Sequence, residues 1–478
     1  MQLIFETSRP GRRGLRLDPL DVPEAPLPKE LCREQAPALP EVGEVDVVRH
    51  FTRLSHRNFG LDGHFYPLGS CTMKHNPKMA EAAAAEPGLR DLHPHLASSP
   101  AYGAACQGAL EIIHETERLL AEIGGMRAVS LQPIAGAHGE LTGALLIAAY
   151  HRDKGNAKDA IIIPDSAHGT NPASAATAGF RVIEVPSDKD GTIHLDAFEK
   201  VLDDSVAGVM LTCPNTHGLF EPQVRRIADL AHEADALLYY DGANLNAIMG
   251  VCRPGDLGFD VMHFNLHKTF GTPHGMGGPG AGPVGVSERL EPFLPGPRVV
   301  PTGDGFGLDA PAKSIGRMSP FFGNFLVAVR AYAYILHLGD QGLKEVAHHA
   351  VLNANYVLAR LKGIYQAAFD GPCMHECVLT AAPQAEHGVR ALDIAKALLD
   401  RGFHAPTVYF PLTVKESMMI EPTETESKES LDAFCDALIE IAQVVADDPE
   451  SLRTAPHTTA VGRLDEVKAA RTLDCACL

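Results

Sequence analysis

Lys268 lies in Asn265-Leu266-His267-Lys268-Thr269-Phe270, just ahead of the small-residue run Gly271-Thr272-Pro273-His274-Gly275-Met276-Gly277-Gly278. Upstream, Tyr239-Tyr240-Asp241-Gly242-Ala243-Asn244 sets a carboxylate at the end of a short apolar stretch. A lysine that condenses with an aldehyde cofactor needs a tight turn of small residues to present its amine, and an acid against the cofactor's ring nitrogen. Asp241-Gly242-Ala243 followed by His267-Lys268 meets that description for pyridoxal 5'-phosphate (PLP), with Lys268 forming the Schiff base. Asp241 would keep the pyridine nitrogen protonated, making the ring an electron sink; an aspartate there also suits a helix cap or turn. Ala243 is suited to pack on one ring face. His168, in Ser166-Ala167-His168-Gly169-Thr170-Asn171-Pro172, is suited to stack on the other. A small turn residue and a loop histidine need no such role. Thr216, in Thr212-Cys213-Pro214-Asn215-Thr216-His217-Gly218, fits a hydrogen bond to the cofactor's phenolic oxygen, or a turn cap.

The phosphate calls for N–H donors. Gly136-Ala137-His138-Gly139-Glu140 reads as a turn preceding an apolar helical stretch at 141–149. A glycine-flanked turn opening a helix exposes free N–H groups and the positive end of the helix dipole; the same turn also serves as a plain connector. His267 offers a side-chain donor, or is simply packed near a strand end. His168 or another base would handle protons. His263, His267 and His274 lack a His-x-x-x-His helix or a carboxylate partner, so no metal site is expected from them.

The elements that must position these residues follow from hydrophobic patterning. Short apolar stretches at 161–163, 182–185, 206–211, 237–240 and 261–264 read as strands, with helices at 195–202 and 224–234 among them. Continuous apolar strands alternating with helices predict an α/β fold whose mostly parallel sheet is covered on both faces. Ligands of such sheets bind beyond the carboxyl ends of the strands, where Asp241, Lys268 and the 166–172 and 212–218 segments fall. A helix at 324–338 leads into a second unit near 345–450, with helices at 346–361, 391–400 and 431–446 and strands near 377–379 and 407–410. Residues 1 to about 45 carry Pro19, Pro23, Pro26, Pro28, Pro37 and Pro40 and read as an extended arm; a helical period follows at 44–57. The tail from Ala455 reads as extended, then weakly helical. The expected division is residues 1–60 (arm and helix), 61–330 (large cofactor-binding α/β domain) and 331–478 (small α+β domain and tail).

With 478 residues, the chain exceeds one compact unit, and a net charge of −19 opposes nucleic acid as a main partner. No apolar run reaches membrane-helix length. Met1-Gln2-Leu3-Ile4-Phe5-Glu6 lacks the basic-then-apolar pattern of a secretory signal, so a cytoplasmic protein is expected. A disulfide framework is not expected of the ten scattered cysteines. Cys373, His375 and Cys377 suggest metal on spacing alone, but Val378-Leu379 beside them suits a buried strand in which free cysteines act as small hydrophobes. Cys475 and Cys477 form either a redox pair or a frayed tail.

Longer motifs extend beyond the lysine: Phe65-Tyr66-Pro67-Leu68-Gly69-Ser70-Cys71-Thr72-Met73-Lys74, residues 166–174, 265–270 and 314–324, Met418-Met419-Ile420-Glu421-Pro422-Thr423-Glu424-Thr425-Glu426, and Ala455-Pro456-His457-Thr458-Thr459. Over essentially its whole length, the chain resembles the C-terminal half of the glycine cleavage P-protein family, in its two-subunit form. The resemblance implies a fold type I PLP enzyme, aspartate aminotransferase-like, with a mostly parallel seven-stranded sheet in the large domain and a smaller α+β C-terminal domain. It implies Lys268 as the Schiff-base lysine and glycine as the substrate, decarboxylated with transfer of the aminomethyl group to the lipoyl arm of H-protein. It implies subunit 1 as companion in an α2β2 heterotetramer. Where the family often has glutamine this chain has His138, so only the backbone contacts carry over there. Other PLP enzymes (an amino-acid decarboxylase, aminotransferase or desulfurase) share the Asp241 and Lys268 chemistry, and a scaffold subunit without catalysis is the alternative of a different class.

Overall fold

The computed structural model describes residues 2–99, 101–274 and 279–473; residues 275–278 of the small-residue run and Cys475 and Cys477 lie outside them. The backbone divides into Met1–Gly60 and Leu61–Leu478. In the first unit, a helix at Glu44–Ser55 follows a single 3-10 turn, Lys29–Leu31. The Gly43 N–H donates to Asp46 Oδ2 at 3.1 Å, which caps the helix start. The segments flanking the Pro-rich stretch are joined by two hydrogen bonds, Arg9 N–H to Glu41 O at 2.9 Å and Glu41 N–H to Ser8 Oγ at 2.8 Å.

The second unit is built on a seven-stranded sheet. Its strands are β1 (Ala128–Ser130), β2 (Ala160–Pro164), β3 (Arg181–Val185), β4 (Val206–Thr212), β5 (Leu237–Gly242), β6 (Val261–Phe264) and β7 (Val284–Val286), in the order β1-β7-β6-β5-β4-β2-β3. Strands β3, β2, β4, β5 and β6 run parallel, and β7 is antiparallel to both neighbours. Side chains alternate across the sheet. Ile162, Leu238, Tyr240 and Met262 join one core with helices Gln107–Gly124, Val224–Glu233 and the start of Phe325–Leu361. Ile161, Leu237, Tyr239 and Val261 join the other, with helix Gly136–Lys154. This two-sided burial is why the parallel strands read as unbroken apolar runs. The hairpin β8 (Arg298–Thr302) and β9 (Gly305–Asp309) and the helix Gln107–Gly124 were not among the expected elements.

A smaller C-terminal domain has its own antiparallel sheet, ordered β10 (Gln366–Ala367), β11 (Cys377–Thr380), β13 (Ser417–Ile420), β12 (Thr407–Val408). Helices Ala391–Leu399 and Lys428–Asp447 pack on it through Ile394, Leu398, Phe434, Leu438 and Ile441. The strand expected at 407–410 is limited to Thr407–Val408. Two helices expected at 324–338 and 346–361 form one run, Phe325–Leu361, broken at Gly339 (φ 62°, ψ −173°). A residue without Cβ takes that conformation at little steric cost. Among the described residues, no helix is long and apolar enough to cross a membrane.

Candidate active site

Beyond the carboxyl ends of β4, β5 and β6 lies a cavity of about 190 Å³. It is lined by Lys268, Asp241, Ala243, His168, Thr216, His267, Gly136 and Ala137. Ser70, Glu140, Thr170, Thr212, Asn244, Asn265 and His274 complete the wall. An apolar cavity of about 110 Å³ beside Leu110, Ile113 and Phe325 holds none of these groups.

Lys268 sits in the short helix Leu266–Thr269 that follows β6, and its Nζ donates to Ser70 O at 2.8 Å. Asp241, 3% exposed, is the penultimate residue of β5. Its Oδ1 accepts the Ala243 N–H at 3.0 Å. His263 Nε2 lies 3.4 Å from the same oxygen, without hydrogen-bond alignment. On the ring's other side His263 Nδ1 meets Tyr239 Oη at 2.6 Å. Burial lowers the His263 pKa, against the pull of Asp241. A neutral ring with Tyr239 donating to Nδ1 leaves its remaining proton on Nε2, facing the carboxylate.

The residues read as a turn before the helix are the helix's own first turn: the helix runs Gly136–Lys154. The N–H groups of Gly136, Ala137 and His138 have no partner within the helix, and the Gly139 N–H makes the first helical bond, to Ala135 O at 2.9 Å. A Cβ on Gly136 would come within 2.6 Å of Asn265 Oδ1, so glycine lets the helix abut the start of the lysine segment. The His138 ring does not line the cavity; its Nδ1 accepts the Ile134 N–H at 3.2 Å. His267 Nδ1 accepts the Ala281 N–H at 3.1 Å, so the neutral ring carries its proton on Nε2. Burial, helped by His274 and Lys268, lowers the His267 pKa to about 3.

His168 lies at the exposed mouth, with the Thr170 N–H donating to its Nδ1 at 3.3 Å and the Phe410 ring edge-on at 5.8 Å. Thr216 donates its hydroxyl proton to Ser166 O, leaving that oxygen free to accept. Burial and the charge of Asp241 raise the Glu140 pKa to about 8.

Four buried polar atoms in the wall have no partner: Thr212 Oγ1, Asn244 Oδ1, Asn265 Oδ1 and Glu140 Oε2. A buried polar group left unpaired is destabilising, so the wall is built for a polar ligand. A phosphorylated pyridine aldehyde fits: an amine for the aldehyde, a carboxylate for the ring nitrogen and an open helix N-terminus for the phosphate. Among the described residues, the one cluster that could share a metal ion is His375, Glu376 and Glu421, with ligand atoms within 4.8 Å of one another; His263, His267 and His274 do not form one. Cys373 and Cys377 are buried free thiols.

The fold and the cavity at its carboxyl edge define a class, the fold type I architecture of PLP-dependent enzymes. A glycine decarboxylase (P-protein) of the glycine cleavage system, solved in inhibitor-bound form, shares it with a TM-score of 0.70, covering 89% of this chain and 92% of the other at 24% identity. A cysteine desulfurase from Thermococcus onnurineus shares it at 0.62 and 15% identity, over 80% of this chain and 95% of the other; both likenesses speak to the fold alone. The family described as glycine cleavage system P-protein matches residues 94–313, and that described as glycine dehydrogenase, C-terminal domain, matches 346–457. Probable glycine dehydrogenase (decarboxylating) subunit 2 of Caldanaerobacter subterraneus is 57% identical over 475 residues, 98% of this chain and 97% of that one. Its counterpart in Chlorobium chlorochromatii is 54% identical over 482 residues, 100% and 99% of the two chains. The chain belongs to the family of glycine dehydrogenase (decarboxylating) subunit 2.

Proposed function

We propose that this chain is the lysine-bearing subunit of a two-subunit glycine cleavage P-protein, which decarboxylates glycine and passes the aminomethyl group to the lipoyl arm of H-protein. Family membership supports the reaction, and the meeting of Lys268 and Asp241 in one polar cavity carries the assignment of the site. When bound, PLP supplies an electron sink for the pair released as CO2 leaves. Lys268 would hold the cofactor through its Nζ, the amine whose place glycine's amine would take. Asp241, supported by the Ala243 N–H and by His263, holds a proton on the ring nitrogen. Ala243 and His168, both in the cavity wall, would bound the two ring faces. The N–H groups of Gly136, Ala137 and His138, at the positive end of a long helix, take the phosphate together with the His267 Nε2–H. Thr216 accepts from the phenolic group. His168, at the mouth, would move protons to and from solvent. The partners are subunit 1, in an α2β2 assembly, and lipoylated H-protein; the setting is the cytoplasm. The large domain extends from residue 61 to about 330 and the small one from there to 478.

Lys268→Ala tests this reading. Purified with its companion subunit, the variant should lose the lysine–cofactor absorbance near the blue edge of the spectrum. It should also lose the exchange of CO2 with glycine that depends on lipoylated H-protein. Retention of both refutes the assignment; absorbance without glycine exchange in the unaltered protein points to another PLP chemistry.

A further inference from the structure

Residues 65–74 run along the C-terminal antiparallel sheet, and Ser70 within them meets Lys268. Leu68 pairs antiparallel with Ile420 of β13, the Glu421 N–H donates to Pro67 O at 3.3 Å, and Thr407 Oγ1 donates to Gly69 O at 2.8 Å. Gly69 is pressed on β13 so closely that a Cβ there would lie 2.7 Å from Met419 O. Ser70 then takes a left-handed conformation, φ 61°, which is uncommon for a residue with a side chain and persists only where its surroundings enforce it. Two contacts accompany it. The Ser70 N–H donates to Glu376 Oε2 at 2.6 Å, and the Ser70 carbonyl accepts from Lys268 Nζ at 2.8 Å. Next to it, the Thr72 hydroxyl donates to Glu421 Oε1. Glu376 and Glu421 are fully buried. A buried carboxyl group is destabilising unless it is hydrogen-bonded, and each keeps one oxygen without a hydrogen-bond partner.

We propose that Glu376 is a positioning residue: by fixing the Ser70 N–H it turns the Ser70 carbonyl into the seat that holds the Lys268 amine whenever that amine is not joined to the cofactor. The inference deepens the reading of Lys268 given above and rests on it. A lysine that trades its cofactor bond for substrate must withdraw its amine and later return it along the same short path. A carbonyl at 2.8 Å, held by a carboxyl group of the C-terminal domain 306 residues away in sequence, keeps the amine within reach and out of bulk water. The groups facing the seat are His375 and Glu376, just ahead of β11, and Glu421, just after β13. Lys74, with its buried partner Glu424 at 2.8 Å, stands farther along the same segment. Burial and the neighbouring Glu421 raise the Glu376 pKa, and its Oε2 acts on Ser70 through the hydrogen bond from the Ser70 N–H.

The test is chemical labelling of the cofactor-free full-length chain with acetic anhydride, with acetylation of Lys268 followed by mass spectrometry against exposed Lys189. Glu376→Ala frees the seat and should speed acetylation of Lys268 about tenfold, the effect of losing a hydrogen bond to a charged group, while buried Lys74 stays protected. Glu376→Gln keeps an oxygen for the Ser70 N–H and should label at the unaltered rate. Gly69→Ala lifts the segment from β13 without touching the glutamates and should label as fast as Glu376→Ala; it carries the test if Glu376→Ala fails to fold. The proposal is overturned if folded Glu376→Ala labels at the unaltered rate, if Glu376→Gln labels as fast as Glu376→Ala, if Lys74 gains along with Lys268 in Glu376→Ala, or if Gly69→Ala shows no gain. The labelling needs no cofactor, so PLP uptake by the same preparations, read by absorbance, reports separately on the assignment of Lys268.

Discussion

His267→Phe removes the Nε2–H at the end of the cavity proposed for the phosphate, and with it the Nδ1 that accepts the Ala281 N–H. The Ala281 N–H occupies Nδ1, which leaves the neutral ring with a single proton, on Nε2, to offer an anion. Phenylalanine keeps the ring's bulk and removes that donor. A hydrogen bond to a charged group contributes about 1.5–3 kcal/mol, so PLP affinity should weaken roughly 10- to 150-fold. The pH dependence is the sharper check. With its pKa lowered to about 3, chiefly by burial, His267 is neutral across the physiological range. The ratio of the two affinities should therefore stay level from about pH 5 to about pH 8, with no inflection near the ordinary histidine value of about 6.5. Equilibrium titration of the cofactor-free protein, followed by absorbance, measures both. A ratio near one removes His267 from the phosphate site. A ratio that grows as pH falls through about 6.5 means that the imidazolium binds the anion, and the argument from burial fails. Stability obeys the same linkage. The unfolded chain takes up a proton at this histidine below about 6.5 and the folded chain does not, so the group's contribution is intact above that pH. It falls by about 1.4 kcal/mol per pH unit on acidification toward 3.

Lys74 is 1% exposed and pairs with Glu424 at 2.8 Å, beside the Tyr334 hydroxyl. Lys74→Met leaves that carboxylate buried and unpaired and should cost about 3–5 kcal/mol, read as a lower midpoint in urea; a shift equivalent to less than about 1 kcal/mol would show that water already reaches the pair. Gly143→Ala places a Cβ 2.2 Å from the Tyr239 ring, whose hydroxyl is held by His263, so the ring has little room to yield. Overpacking of about 1–3 kcal/mol is expected, with weaker cofactor binding as the His263 contact to Asp241 shifts; an unchanged melting temperature contradicts it.

The central strands were legible because burial on both faces writes itself as short runs that are almost wholly apolar, such as Ile161-Ile162-Ile163 and Leu237-Leu238-Tyr239-Tyr240. The polar residues at their carboxyl ends, Asp241 and the segment bearing Lys268, stand out against that background. Strands β1 and β7 have three residues each, too few for any period to show, and β13 is disguised by its pair of methionines. Helix Gly136–Lys154 begins five residues before the apolar stretch that announces it, because two glycines weaken the local helical signal while packing against Asn265 and His263 favours close approach. The helix Gln107–Gly124 did carry a readable spacing in Leu110, Ile113 and Leu120. Ser70 and its carboxyl partner could not be paired from the sequence at all, since contact between them is made only by the tertiary fold, across 306 residues.

The run Phe325–Leu361 belongs to two cores. Val327, Ala331 and Ile335 wall the large sheet, whereas Ala354, Val357 and Leu361 wall the C-terminal one, with the bend at Gly339 between. Each core thus borrows a side from the same piece of chain, and loosening either strips the other of part of its own lining. The two bodies are yoked: they should melt as one cooperative block, and trimming the chain inside that rod would leave no remnant able to stand on its own.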